Sequence, residues 1–273
     1  MKKNLLFIAF LFIGGSIMAQ ITKESIDSKV LNAKQSVTIK LPKNYTNDSN
    51  LKYPIIVVLD GDYLFNPVIG QTDFQTYFGI VPESIIVGIN RGTNKFSDTY
   101  SNEVSNLALT SGDALSKFVS EELLPYIDGK YSTNKYRVIV GHKKSTNLLN
   151  SFLLKDQSPF QSYISISPEF TSDMRQKIVK KLQAINTDVV YYMATTTNDI
   201  DSIITNVIST SKDLNKVDNK YLKFYFDNFD RLSHHTMVMS AVARGFEKVF
   251  NNYKPIKDQQ INGNVASYDP TLD

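Results

Sequence analysis

The stretch YRVIVGHKKST, residues 136–146, decides the fold. Residues 137–140 form an apolar run rich in β-branched side chains, which is typical of a strand covered on both faces. Gly141 then permits a tight turn, and residues 147–154 carry the apolar spacing of a helix. The stretch therefore predicts a buried strand, a sharp turn with Lys143 at its tip, and a helix.

Similar apolar runs of strand length occur along most of the chain. They lie at residues 37–41, 54–59, 85–89, 163–166, 189–193 and 222–226. In the second half the strands alternate with helical patterns, at residues 111–126, 147–154, 172–185, 203–214 and 237–250. This succession predicts an α/β fold with a mostly parallel central sheet flanked by helices on both faces.

The N-terminus has the pattern of a secretory signal peptide. Lys2 and Lys3 precede an apolar stretch, and the small Ala19 ends the segment. We expect cleavage after Ala19, which leaves no transmembrane anchor and gives a secreted or periplasmic protein. The expected organisation is a signal peptide in residues 1–19, one α/β domain in residues 20–253, and an extended or disordered tail in residues 254–273.

Charge and composition exclude several function classes. Removal of Lys2 and Lys3 takes the formal net charge from +3 to +1, which gives no electrostatic reason to expect nucleic-acid binding. The chain has no cysteine, so its stability must come from an apolar core rather than from disulfides. It also lacks a phosphate-binding loop, a dinucleotide fingerprint and an H-E-x-x-H pair, so we expect no cofactor and no metal. The sequence leaves the oligomeric state open.

Four short motifs resemble those of the putative esterase family of α/β-hydrolases, which is related to esterase D and the enterochelin esterases. They are VLDG at residues 58–61, VGINR at 87–91, LPYI at 124–127 and YISISP at 163–168. The resemblance covers about residues 36–252. It implies the α/β-hydrolase fold and a carboxylic-ester hydrolase whose nucleophile, acid and histidine follow in that chain order.

The resemblance breaks at the nucleophile. The elbow turn of such families reads G-H-S-x-G-G, whereas residues 141–146 read GHKKST. This places Lys143 at the position of the nucleophilic serine, and a lysine cannot act as an alcohol nucleophile. The oxyanion donors implied by the resemblance are backbone N–H groups near Gly61, Asp62 and Lys144.

The histidine and the acid follow later strands. The family's histidine is followed two residues later by Ser or Thr, which implies His234 with Thr236 behind it. The implied acid lies in residues 198–201, where Asp199 is preferred and Asp201 stays open. Acids at a helix start also suit the helix dipole, so capping remains an alternative for either aspartate.

Two functions remain open from the sequence. The first is an inactive or strongly impaired esterase-like protein that binds a small-molecule ester, carboxylate or other anion. In it, Lys143 either pairs with Asp199 or faces the ligand. The second is a carboxylic-ester hydrolase, for an acyl or siderophore-type ester, that acts through a displaced hydroxyl such as Ser145. Ser145 lies on the helical turn after the tip, so its oxygen is expected to point elsewhere, which favours the first function.

Specificity is expected to come from two loops over the carboxyl edge of the sheet, residues 62–75 and 91–110. Their aromatic side chains either wall a pocket or pack a lid onto the body.

Overall fold

The computed structural model describes residues 20–43, 45–47, 50–90, 110–169 and 172–254. Eight strands occur in these residues: β1 (Ile21–Ser28), β2 (Ala33–Lys40), β3 (Tyr53–Val58), β4 (Ile85–Ile89), β5 (Thr133–His142), β6 (Ser162–Ile166), β7 (Val189–Asn198) and β8 (Leu222–Ser233). They form one sheet in the order β1-β2-β4-β3-β5-β6-β7-β8. The pairs β1/β2 and β2/β4 are antiparallel and the others are parallel. The predicted fold class is confirmed.

Helices pack on both faces of this sheet. They are α1 (Gly61–Tyr77), α2 (Thr110–Lys117), α3 (Leu124–Lys130), α4 (Thr146–Leu154), α5 (Ser172–Ala184), α6 (Asp201–Leu214) and α7 (Met237–Val249). A π-helical turn, Phe118–Leu123, joins α2 to α3. Each helix in the described ranges is too short or too polar to cross a membrane.

The central strands supply two separate cores. In β3, Ile55 and Val57 pack into the cluster beneath α2 to α6, whereas Ile56 and Val58 pack into the cluster beneath α1 and α7. Successive side chains of a strand point to opposite faces, so a strand covered on both sides must be apolar throughout. This double burial is the reason for the unbroken apolar runs in the sequence.

One predicted loop is wrong, because residues 62–75 form most of α1. The buried positions of this helix recur at helical spacing: Gly61, Leu64, Phe65, Val68, Thr72 and Gln75. Two of them are polar, and Pro67 lies inside the helix, so the apolar periodicity that would reveal a helix is interrupted. The edge strand β1 is a further element beyond those predicted.

Three predicted segments fall partly or wholly outside the described residues. They are the signal peptide at 1–19, most of the second specificity loop at 91–109, and residues 255–273 of the tail.

The contact of α7 with the sheet gives a direct test of the packing. A Cβ added at Gly245 would lie 2.9 Å from Cγ2 of Ile164 in β6. We expect Gly245→Ala to lower the free energy of unfolding by about 1–3 kcal/mol, because overpacking displaces the helix or the strand. Gly70→Ala in α1 is the matched control: nothing lies within 4 Å of its added Cβ, so it is expected to be neutral or to stabilise the helix by up to about 1 kcal/mol. Urea unfolding followed by circular dichroism measures both, and a Gly245→Ala variant as stable as wild type would contradict this packing.

Candidate functional site

The chain reverses sharply at Lys143, between β5 and α4. Lys143 has a φ of 57°, in the left-handed region that costs a non-glycine residue about 1–2 kcal/mol. The 3-10 turn Lys143–Ser145 then leads directly into α4. A buried strand, a left-handed tip and a helix together have the geometry of a nucleophile elbow, and Lys143 occupies the tip.

Gly141 and Ser145 are the small residues on either side of the tip. Ser145 is fully buried; its Oγ accepts a hydrogen bond from the His142 N–H at 3.0 Å and donates one to the His142 carbonyl at 3.0 Å. A Cβ on Gly141 would lie 3.2 Å from Ser145 Oγ, so the turn requires a glycine or a local shift there. The adjacent Thr146 hydroxyl donates to the carbonyl of Lys143.

These bonds argue against the alternative in which Ser145 acts as a displaced nucleophile. Its hydroxyl is engaged by the backbone of the turn as both donor and acceptor, and its side chain is fully buried. Thr146 is buried in the same way. Neither hydroxyl is placed to attack a bound ester.

His234 and Asp199 form a hydrogen-bonded pair at the ends of β7 and β8. The two strands run parallel with Asn198 opposite Ser233, so the residues that follow them lie side by side. Nδ1 of His234 is 2.6 Å from Oδ1 of Asp199, whose side chain is 0% exposed. Asp201 instead begins α6 at an exposed position. Of the two candidate acids, the geometry selects Asp199.

The carboxylate of Asp199 is saturated with hydrogen bonds. It accepts from Thr195 Oγ1 at 2.8 Å, from the Ile200 N–H at 2.8 Å and from the Ser167 hydroxyl. Burial opposes its ionisation, but these bonds and the one from His234 outweigh burial and hold the pKa of Asp199 below its ordinary value.

The proposed pairing of Lys143 with Asp199 is wrong. Among the described residues, the ion pair of Asp199 is with His234 and none forms with Lys143. The carboxylate of Asp199 is therefore already satisfied by hydrogen bonds from the histidine and from its other donors.

A second histidine, which the sequence did not single out, lies beside the pair. His142 is 4% exposed, and its ring centroid is 4.8 Å from that of His234. Its Nδ1 lies 2.9 Å from the hydroxyl of Tyr63, which also donates to Asp60 at 3.3 Å. Burial, aided by the neighbouring His234, lowers the pKa of His142 to about 3. His142 is therefore neutral near pH 7.

The expected oxyanion donors lie at the same edge of the sheet. The Leu59 N–H donates to the Val140 carbonyl at 2.9 Å, so the ends of β3 and β5 are level. Gly61 and Asp62 begin α1 directly after β3, and Lys144 lies in the turn directly after the tip. Two helical segments thus begin after neighbouring strands at this edge of the sheet, and the backbone amides of helix N-termini favour negative charge.

Residues 28–236 match the putative esterase family. The chain belongs to this family. No curated protein matches the chain in sequence.

Solved structures of similar fold extend the comparison. An uncharacterised protein from Capnocytophaga ochracea has a TM-score of 0.78 and 25% identity, covering 89% of this chain and 68% of that one. An IroE-like serine hydrolase from Shewanella oneidensis has a TM-score of 0.77 and 18% identity, covering 88% and 84%. Siderophore hydrolase EstB from Aspergillus nidulans has a TM-score of 0.71 and 14% identity, covering 88% and 98%. The last two likenesses show the α/β-hydrolase fold of this esterase-family chain.

The buried neutral His142 predicts a specific acid sensitivity. In the unfolded chain it binds a proton below about pH 6.5, whereas in the folded protein it does so only near pH 3. Its contribution to stability is therefore present above pH 6.5 and is lost as the pH falls towards 3, by up to about 1.4 kcal/mol per pH unit.

We expect His142→Phe to flatten the dependence of unfolding free energy on pH between 6.5 and 4.5, whatever its own stability. His235→Gln is the matched control, because His235 is exposed. Urea unfolding at a series of pH values measures the slopes. The same slope in His142→Phe and in wild type would show that His142 is not held neutral.

Proposed function

We propose that this esterase-family protein binds a small carboxylate or other anion in the cleft around Lys143, and that it does not hydrolyse esters by the serine mechanism. The observation that carries the proposal is Lys143 at the left-handed tip of the elbow, where the sequence resemblance places the family's serine. We also propose that it works after export, in a form that begins at Gln20, which the intact mass of the exported protein would check. The N-terminal sequence pattern supports this localisation.

The elbow tip carries no hydroxyl that could act as the nucleophile. The serine mechanism needs a hydroxyl there, whose proton passes to the histidine as the oxygen attacks. Lys143 offers an ammonium group instead, and the hydroxyls of Ser145 and Thr146 are engaged by the turn. The His234–Asp199 pair thus faces no alcohol at the tip from which to take a proton.

The positive charges at the elbow tip favour the binding of an anion. Lys143 and Lys144 stand at the start of a helical segment, whose amides already favour an anion. Neither Asp199 nor Glu169 forms an ion pair with Lys143 in the described part of the chain. An incoming carboxylate would therefore meet a cation that no acid of the described residues contacts.

The first test concerns catalysis. We expect the wild-type protein to show neither labelling by a fluorophosphonate probe nor turnover of short-chain aryl esters, because loss of a serine nucleophile typically costs around 10⁶ in kcat. Lys143→Ser restores a hydroxyl at the tip and is expected to gain labelling at residue 143. His234→Gln in that background should abolish the gain. Wild-type labelling mapped to Ser145 or Thr146 would contradict the proposal.

The second test concerns binding. A thermal-shift and calorimetric screen of phosphate, citrate and short acyl carboxylates should find an anion that stabilises the protein, by about 2.7 kcal/mol at 100 times its Kd. Lys143→Met keeps the length of the side chain without its charge and should lose the effect. Lys212→Met, which removes an exposed lysine of α6, should keep it. A wild-type protein indifferent to every anion would overturn the binding function.

A further inference from the structure

One ring nitrogen beside the elbow has no hydrogen-bond partner among the described residues. His142 is 4% exposed, and no described residue bonds to its buried Nε2. Buried polar atoms in folded proteins are nearly always satisfied, so an exception calls for a specific explanation. Because this atom lies beside His234 and directly precedes the elbow tip, a bound ligand is one such explanation.

The hydrogen bonds of Tyr63 define what this nitrogen can do. The Tyr63 hydroxyl has one hydrogen, and a carboxylate oxygen can only accept. With that hydrogen donated to Asp60 at 3.3 Å, the hydroxyl oxygen accepts in its contact with His142 Nδ1 at 2.9 Å. In this arrangement His142 carries its proton on Nδ1, and its Nε2 presents a lone pair.

His234 is prepared in a parallel way. Its Nδ1 donates to Asp199 at 2.6 Å, so in the neutral ring Nε2 is also an acceptor. The two rings lie 4.8 Å apart. A metal ion would be another partner for two such nitrogens, but the described residues supply no group of three or more ligands that could hold one. The cleft therefore combines acceptor nitrogens with the positive charge of Lys143.

We infer that His142 is a ligand-binding residue whose Nε2 accepts a hydrogen bond from a hydroxyl group, and that the ligand of the cleft is a hydroxycarboxylate. The inference rests on the proposed function, because Lys143 is taken to hold the carboxylate. The neutral state of His142 in the folded protein is consistent with this role. A carboxylate without the hydroxyl would leave Nε2 unpaired, and a site built to pair a polar group rejects the analogue that lacks it.

Matched pairs of probes test this directly. We propose isothermal titration calorimetry with lactate against propionate and with 3-hydroxybutyrate against butyrate, members of each pair differing only in the hydroxyl. In at least one pair the hydroxy acid should bind wild type about threefold to tenfold more tightly. Equal affinities in both pairs would overturn the inference and leave the proposed function standing. No binding of any of the four, nor of the anions in the wider screen, would overturn the proposed function itself.

Two variants locate the effect. His142→Phe should still bind the carboxylates and lose the preference for the hydroxyl. Because a buried substitution can impair folding, Tyr63→Phe is the second variant: Tyr63 is 45% exposed, and removal of its hydroxyl takes away the acceptor that fixes the tautomer. Tyr77→Phe on the same helix is the control, since Tyr77 is 84% exposed, and it should behave as wild type. A preference that survives undiminished in Tyr63→Phe and in folded His142→Phe would overturn the role of His142.

A spectroscopic measurement checks the tautomer without any ligand. The chain has three histidines, so long-range ¹H–¹⁵N spectra of labelled protein can be assigned with single His→Gln variants. At pH 7, His142 should show the Nδ1–H tautomer in wild type and in Tyr77→Phe, and should lose that bias in Tyr63→Phe. An Nε2–H tautomer in wild type would overturn the inference, because that nitrogen could not accept.

Discussion

The left-handed turn at Lys143 is the constraint on which the site depends. It follows the central strand β5, which lies between β3, the strand that leads into α1, and β6. The hydrogen bonds that close the turn come from the backbone of His142 and the side chains of Ser145 and Thr146. None of them uses the side chain at position 143. The scaffold therefore leaves the identity of the tip residue free, and the chemistry of the cleft can change while the fold does not.

The acid and the lysines around the elbow differ in how their charges are satisfied. The one carboxylate in contact with His234 is fully buried and accepts hydrogen bonds from four groups. Its charge is thereby satisfied within the protein. The ammonium groups of Lys143 and Lys144 receive no comparable support from the described acids. An anion that binds here would supply a counter-charge for these lysines, and it would not have to displace an ion pair formed by the described acids.

The sequence predicted the parts of this structure that depend on local patterns. Apolar runs identified the central strands, and the turn chemistry around Gly141 identified Lys143 as the tip. Helix α1 was not predicted, because Thr72 and Gln75 occupy its buried face and Pro67 lies within it, so the sequence lacks a regular apolar helical pattern. Those polar residues are accommodated by tertiary contacts, such as the bond from Gln75 to the carbonyl of Ala243.

The sequence did not predict His142 as a residue of the site, for a related reason. Its place at the end of a buried strand was visible in the sequence, but its role depends on Tyr63, 79 residues earlier, and on the ring of His234. A histidine at the end of an apolar run is more often a packed core residue than a ligand-binding one. What distinguishes this one is the pairing of one ring nitrogen and the lack of a described partner for the other. Both are properties of the folded cleft and not of the local sequence.

The His234–Asp199 pair has a structural role that does not require catalysis. Through Asp199, the end of β7 is joined to Ser167 after β6, to the N-cap residue of α6 and to His234 after β8. Removing one partner of such a buried hydrogen-bonded pair leaves the other without a partner in a low-dielectric site. This loss strongly lowers the stability of the fold. Folding alone is thus sufficient reason for a histidine–aspartate pair at this position. Its presence is weak evidence for turnover, and the activity of this protein has to be judged from the group at the elbow tip.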